Sequence, residues 1–275
     1  MRLRARSPAP TTEGVSARAN TRRGGVTTGH LLVAIPVLLL AAFASLFVGV
    51  SELSPWGLFN AHPDDVRLFV ESRVSRLVAI LLSGSAMSVA GLIMMHLTRN
   101  RFVSPSTAGT TESASLGILV ATMLFGSASL LTKMAIAAVF ALLGTMAFML
   151  ILRRITYHDT IVVPLVGIMF GGVISSITTF FAYRADLLQT LSVWTSGDFS
   201  GVLRGRYELL WLAGLVTLLC YLYANRFTVV GMGESFAVNL GVHFNRVLYL
   251  GLALTALTTS VVIVTVGAIP FLGLI

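Results

Sequence analysis

The sequence predicts an all-α integral membrane protein, a polytopic bundle of about seven helical spans. Three observations lead there: an apolar composition, seven apolar stretches of bilayer-crossing length, and a one-sided distribution of charge. Of 275 residues, 56% are hydrophobic and only 11% charged, with a mean hydropathy of +0.88. Soluble globular chains carry roughly 25% charged residues, so lipid is the solvent for most of this chain. An apolar helix of about 20 residues crosses the ~30 Å hydrocarbon layer at ~1.5 Å rise per residue. That measure selects 31–50, 74–96, 107–125, 130–152, 161–182, 207–224 and 247–267.

The first 29 residues mix Arg, Ser, Thr, Pro and Gly with almost no apolar side chains. They cannot bury a core, and a disordered tail is expected. The remainder, 30–275, reads as one transmembrane domain. Its first apolar run, 31–50, is longer than the core of a secretory signal and is read as a retained helix. With the N-terminus assigned to the cytoplasm, the inner segments hold twelve Arg and four acidic residues, Glu112 among them, a net +8. The outer segments hold six Arg, Lys133 and seven acidic residues, a net zero. This is the asymmetry of the positive-inside rule. A net charge of +8 placed in this way fits membrane loops and lipid headgroups, not a nucleic-acid-binding face.

Small residues are dense in the second span (Ser83, Gly84, Ser85, Ala86, Ser88, Ala90, Gly91) and in the fifth (Gly167, Gly171, Gly172, Ser175, Ser176). Close helix contact uses small residues, so both spans are expected at the centre of the bundle. Ser175, Ser176, Thr178 and Thr179 are candidates for the lining of a translocation path; their hydroxyls could equally bond to carbonyls one turn back. Ser75–Gly91 and Asn245–Val261 both place Arg second, at Arg76 and Arg246, ahead of a long apolar run. On the assigned topology one starts outside and the other inside, as an inverted repeat would, although chance similarity of two apolar segments gives the same pattern.

Several chemistries have no support. The single lysine, Lys133, follows Thr132, so there is no P-loop. No H-E-x-x-H surrounds any of the five histidines, and no G-x-S-x-G nucleophile elbow occurs. Cys220 is the only cysteine, which excludes an intrachain disulfide and a multi-cysteine zinc site. His96, beside Met94 and Met95, reads as an interfacial residue and not a metal ligand. No catalytic residue, metal site or cofactor is expected.

Three polar stretches remain. Arg73 and Arg76 are three apart at the outer mouth of the second span, on one helix face, either presenting two positive charges or snorkelling at the interface. The inner segment Asn225–Arg246 contains a short helical pattern, Glu234–Leu240, closed by Gly241 as a C-cap. Such a helix can dock onto a partner or lie at the interface. The outer segment Tyr183–Glu208, with Trp194, Asp198 and Tyr207, could cover the entrance.

Four stretches in order resemble the FecCD-type permease family, the transmembrane subunits of ABC importers for iron-siderophore complexes and cobalamin. They are SRVSRLVAILLSGSAMSVAGLIMMHLTRNRFVSPSTAGTTESASLG, PLVGIMFGGVISSITTFFAYRADLLQTLSVWTSGDFSGVLRGRYELL, ANRFTVVGMGESFAVNLGVHFNRV and VGAIPFLGLI. The second and third look like the branch handling petrobactin- or anguibactin-type siderophores. The resemblance implies an inverted-repeat importer permease in the cytoplasmic membrane, paired with a second permease subunit, cytoplasmic ATPase subunits and an extracytoplasmic siderophore-binding protein. It assigns Arg73 and Arg76 to docking of the binding protein. It assigns Gly231–Arg246, with Gly231, Gly233, Glu234, Asn239, Gly241 and Arg246, to coupling with the ATPase. Family members continue past Gly-Leu-Ile, where this sequence stops, through three further helices. About seven spans of an expected ten are therefore present, as a C-terminal truncation would leave them. The alternative from another class is a secondary transporter driven by protons or sodium, which normally places an ionisable group within the membrane; only Glu112 is near such a depth, and it sits close to the start of its span.

Overall fold

The computed structural model describes residues 28–47, 66, 69–127, 129–155, 161–202 and 207–274, with side chains from residue 32 onward. Among these residues every regular element is helical. The chain divides into two compact units, Met1–Ser45 and Leu46–Ile275. Helix α1 (Thr28–Phe47) is apolar throughout and carries Pro36 within it. The tail before it, like residues 48–50 of the expected first span, lies outside the described residues.

The larger unit starts with a π-helical turn, Phe69–Val74, that runs directly into α2 (Ser75–Thr98). Next come α3 (Thr110–Leu124), α4 (Leu130–Arg154), α5 (Val162–Arg184) and the short α6 (Leu188–Thr195). A 3-10 turn, Tyr207–Leu209, leads into α7 (Leu210–Leu222). After it lie α8 (Ala224–Met232), α9 (Glu234–Asn239) and α10 (Phe244–Thr265). Each of the seven apolar stretches thus carries a helix. By length and composition, four helices among the described residues can each cross a membrane: Phe69–Thr98, α4, α5 and α10. A fifth crossing forms if Tyr207–Leu222 and α8, bent by 58°, count as one span. Helix resumes at Ala224 after the bend and runs to Met232, beyond the expected end of that span at 224.

The stretch 107–125 is shorter than expected. Its helix, α3, has 15 residues, which reach about 22 Å and fall short of the ~30 Å apolar layer. The cause is the segment before it, which folds back on itself. Thr107 Oγ1 accepts from Ser104 N–H at 2.8 Å, Asn100 Oδ1 accepts from Phe102 N–H at 2.9 Å, and Ala108 N–H donates to Ser104 O at 3.0 Å. These bonds satisfy backbone groups that a helix would otherwise pair, which lets irregular chain be buried. At its end Gly109 has φ +76°, and a Cβ there would lie 2.7 Å from Phe170 Cδ1. Only glycine suits both demands.

Small residues set the packing. α3 packs most extensively on α4, where Gly117 abuts Ala137 and Phe140, and Gly144 receives the Ser113 side chain. Thr110 and Thr145 share a buried hydroxyl hydrogen bond of 2.8 Å. On α2, Gly91 receives the backbone of Gly273. The expectation for α2 holds, since it packs on α7, α8 and α10. That for α5 does not: 22% of its most apolar window is buried, against 72% for α10. On α10, Thr259, Ser260 and Thr265 donate to carbonyls of their own helix, which permits the burial of those hydroxyls. α5 buries Gly167 and Gly171 but leaves Leu165, Ile168, Met169, Val173 and Phe180 exposed.

Gly167 offers a direct check, because a Cβ there would run into Thr107 O and lie 3.1 Å from Phe148, whereas a Cβ at Gly172 on the same helix would meet nothing within 4 Å among the described residues. Gly167→Val is expected to cost about 1–3 kcal/mol by overpacking and to lower the thermal midpoint of the detergent-purified chain. Gly172→Val should leave it near the parent value; equal midpoints for the two variants would contradict this packing.

Candidate functional site

Two regions gather the polar groups picked out above. The first is a cavity of about 330 Å³ among α3, α5, α6 and the irregular segments before α3 and after α10. Its polar wall comprises Ser106, Thr111, Glu112, Ser115, Ser175, Thr178, Thr179 and Thr195. Three of the four hydroxyl residues expected on a path, Ser175, Thr178 and Thr179, line it. Ser176 does not, and donates to Gly172 O at 2.8 Å. Both readings of these hydroxyls hold together: Thr178 and Thr179 donate to Ile174 O and Ser175 O at 2.8 and 2.9 Å, which leaves their oxygen lone pairs available to the cavity.

Glu112 was counted at the cytoplasmic edge and is not there. Its carboxyl packs against Gly171, since a Cβ on that glycine would lie 3.3 Å from Oε2. Gly171 is nine residues into α5, about 13 Å along the helix axis. The first turn of α3 therefore faces the middle of α5, and Glu112 leaves the inner charge tally. Glu112 Oε2 and Thr111 Oγ1 are buried and have no hydrogen-bond partner among the described residues. Spacing could have pointed to this wall, because Thr111, Glu112 and Ser115 are neighbours at i, i+1 and i+4. Depth could not, because it depends on where the preceding segment turns back.

The segment after α10 closes this region. Asp198 N–H donates to Val266 O at 2.9 Å and Ala268 N–H to Trp194 O at 2.8 Å. The outer stretch that was expected to cover an entrance is thus joined to residues 266–268. Asp198 is exposed, and its carboxyl accepts from Ser200 N–H and Oγ–H, both at 2.7 Å. Those bonds, with a smaller share from the Arg76 charge, hold it below the usual carboxylate range.

At the mouth of α2 the two arginines differ. Arg73 is buried, with 3% of its surface exposed, while Arg76 is half-buried and its Nε has no hydrogen-bond partner among the described residues. The expected pair of outward charges is therefore unequal, because the π-helical turn carrying Arg73 changes the angular spacing from Arg73 to Arg76.

The second region lies at the opposite end of α2, around α9. Gly233 has φ +127° and Gly241 φ +73°, so the short helix is bounded by two conformations that suit glycine. Gly241 N–H donates to Val238 O at 3.0 Å and Val242 N–H to Ala237 O at 2.8 Å, the paired bonds of a Schellman C-cap. The expected capped helix is present, ending at Asn239. Phe236, Val238 and Leu240 are exposed apolar side chains here, and Glu234, Asn239 and Arg246 are also exposed. Gly231 lies against the His96 ring and Gly233 against the Arg99 guanidinium. A groove of about 440 Å³ runs from Glu234 to Arg246, and a hollow of about 580 Å³ lies between α9 and the ends of α2 and α4. Among the described residues no group of three His, Cys, Asp or Glu could hold a metal ion.

The model of the FecCD transport family matches residues 37–275. The chain is 52% identical over 239 residues to the petrobactin import system permease protein YclN of Bacillus subtilis, covering 87% of this chain and 76% of that protein. It is 40% identical to the petrobactin import system permease protein FatD of Bacillus anthracis, over 96% of this chain and 77% of the relative. With the ferric-anguibactin transport system permease protein FatD of Vibrio anguillarum it shares 42% identity, over 86% and 77%. A solved ABC transporter assigned to the metal-chelate type, in an inward-facing conformation, matches in fold with a TM-score of 0.68 at 22% identity, over 90% of this chain and 79% of that one.

Proposed function

The chain belongs to the FecCD transport family, and from that premise we propose that it is the transmembrane permease subunit of an ABC importer carrying iron-siderophore complexes. The similarity to petrobactin and anguibactin permeases over most of the chain is the observation that carries this reading. A permease of this family is a multi-pass membrane component that works with an ATPase, a substrate-binding protein and a second permease subunit. In this reading hydrolysis belongs to separate cytoplasmic ATPases, the N-terminus is cytoplasmic, and the siderophore is of the petrobactin or anguibactin class.

Three regions take roles. The α9 segment, with Gly231, Gly233, Glu234, Asn239, Gly241 and Arg246, couples to the ATPase; its exposed Phe236, Val238 and Leu240 are apolar surface for a partner to cover. Arg76, with Arg73 behind it, meets the binding protein. Ser175, Thr178 and Thr179, on the cavity wall, belong to the translocation path, with Ser176 on the neighbouring exposed face. That exposed face of α5 is where the second permease subunit packs.

The test is reconstitution in proteoliposomes with iron-labelled ferric petrobactin and ferric anguibactin. The purified chain alone should hydrolyse no ATP, and uptake should require the ATPase, the binding protein and ATP together. Hydrolysis by the chain alone would overturn the division of labour. Accumulation driven by a proton or sodium gradient without ATP would establish the secondary-transporter alternative instead.

A further inference from the structure

The cavity wall is unusual in the direction of its hydrogen bonds. Ser115, Thr178, Thr179 and Thr195 each donate their hydroxyl hydrogen to a carbonyl one turn back in their own helix. Each such hydroxyl can then only accept from anything in the cavity. Glu112 adds a carboxyl whose Oε2 is buried without a partner, and among the described residues no Lys, Arg or His lines the space to neutralise it. Thr111, with 7% of its surface exposed, also leaves Oγ1 unpartnered on this wall, a hydroxyl whose lone pairs can accept from an occupant while its hydrogen turns to an oxygen. Unmet buried acceptors are costly, so the best occupant of such a recess is a donor.

We propose that this cavity is a binding subsite for an ammonium-type group, a cation that carries N–H donors, with Glu112 as its counter-charge and the α3 and α5 hydroxyls as acceptors. The subsite rests on the reading of the cavity as part of the translocation path and gives that path a cargo chemistry: a chelate or side arm bearing a protonated amine. A cation without N–H groups satisfies the charge but not the acceptors. A neutral alcohol satisfies an acceptor but not the charge. N–H donors meeting a carboxylate form the stronger, charge-assisted class of hydrogen bond.

The experiment uses the purified chain in lipid nanodiscs and a hydrophobic carbodiimide, which modifies carboxyl groups in apolar surroundings. Labelling of Glu112 is followed by mass spectrometry against added n-propylammonium, tetramethylammonium or n-propanol. Half-protection by n-propylammonium is expected at about tenfold lower concentration than by either control, as buried charged hydrogen bonds allow. Thr111→Val should weaken that protection several-fold with labelling retained, and Glu112→Gln should remove the label with the protein still folded. Equal protection by tetramethylammonium, or none by n-propylammonium, overturns the subsite. Failure of the importer reading is seen separately, in the proteoliposome uptake assay: selective protection without ATP-driven uptake sinks that reading and leaves the subsite standing. Uptake with no selective protection does the reverse.

Discussion

Arg76→Glu is expected to abolish docking of the binding protein while the permease still inserts and folds. Arg76 stands in the first turn of α2, half-buried, near enough to the exposed carboxylate of Asp198 for its charge to act on it, and with Nε unpartnered among the described residues. A basic residue meeting the binding protein calls for carboxylates on that protein, and reversal puts a like charge opposite them. Like charges brought face to face cost several kcal/mol, so the affinity should fall about 100-fold or more at low salt. Arg76→Gln should cost less, and its effect should shrink as salt screens the pair. Arg73 is the wrong residue for this test: it is buried, and reversing a buried charge disturbs the fold itself. Binding-protein affinity for the nanodisc-embedded transporter decides the matter. An unchanged affinity for Arg76→Glu at low salt would reduce this residue to an interfacial anchor.

Gly241→Val is expected to uncouple transport from hydrolysis. At φ +73° a β-branched residue is a steric outlier, with a strain of about 1–3 kcal/mol. The Schellman bonds from Gly241 and Val242 then fail, and α9 loses the end that fixes Glu234, Phe236 and Asn239 toward a partner. Space is not the obstacle, since a Cβ at Gly241 would meet nothing within 4 Å; the backbone is. Val242→Ala, at ordinary φ, should retain most activity. In a complete reconstituted importer, siderophore uptake and ATPase stimulation should both drop about tenfold or more for Gly241→Val, with expression and binding-protein docking unchanged. Normal, stimulated transport would make α9 a simple interfacial helix.

The positions of these residues along the chain were legible because bilayer physics acts on short windows. Twenty apolar residues, a glycine after a short polar helix and arginines crowded into a few gaps are local signals. They located a helix in every apolar stretch, the cap at Gly241 and the membrane class. The resemblance carried by VGMGESFAVNLGVHFNR and its neighbouring stretches reached the family for the same reason.

Depth and direction were different. Glu112 reads as the edge of a span because nothing in TAGTTESAS reports that residues 100–109 turn back and start α3 opposite Gly171. Gly167 and Gly172 look alike in sequence, yet one receives Thr107 and the other meets nothing. Arg73 and Arg76 look equivalent until the π-helical turn buries one of them. By itself the sequence determined which segments leave water, since hydrophobic transfer is summed residue by residue. Only the tertiary structure decided which polar groups share a cavity and which face a neighbour, since contacts between helices depend on where each one starts, ends and rotates.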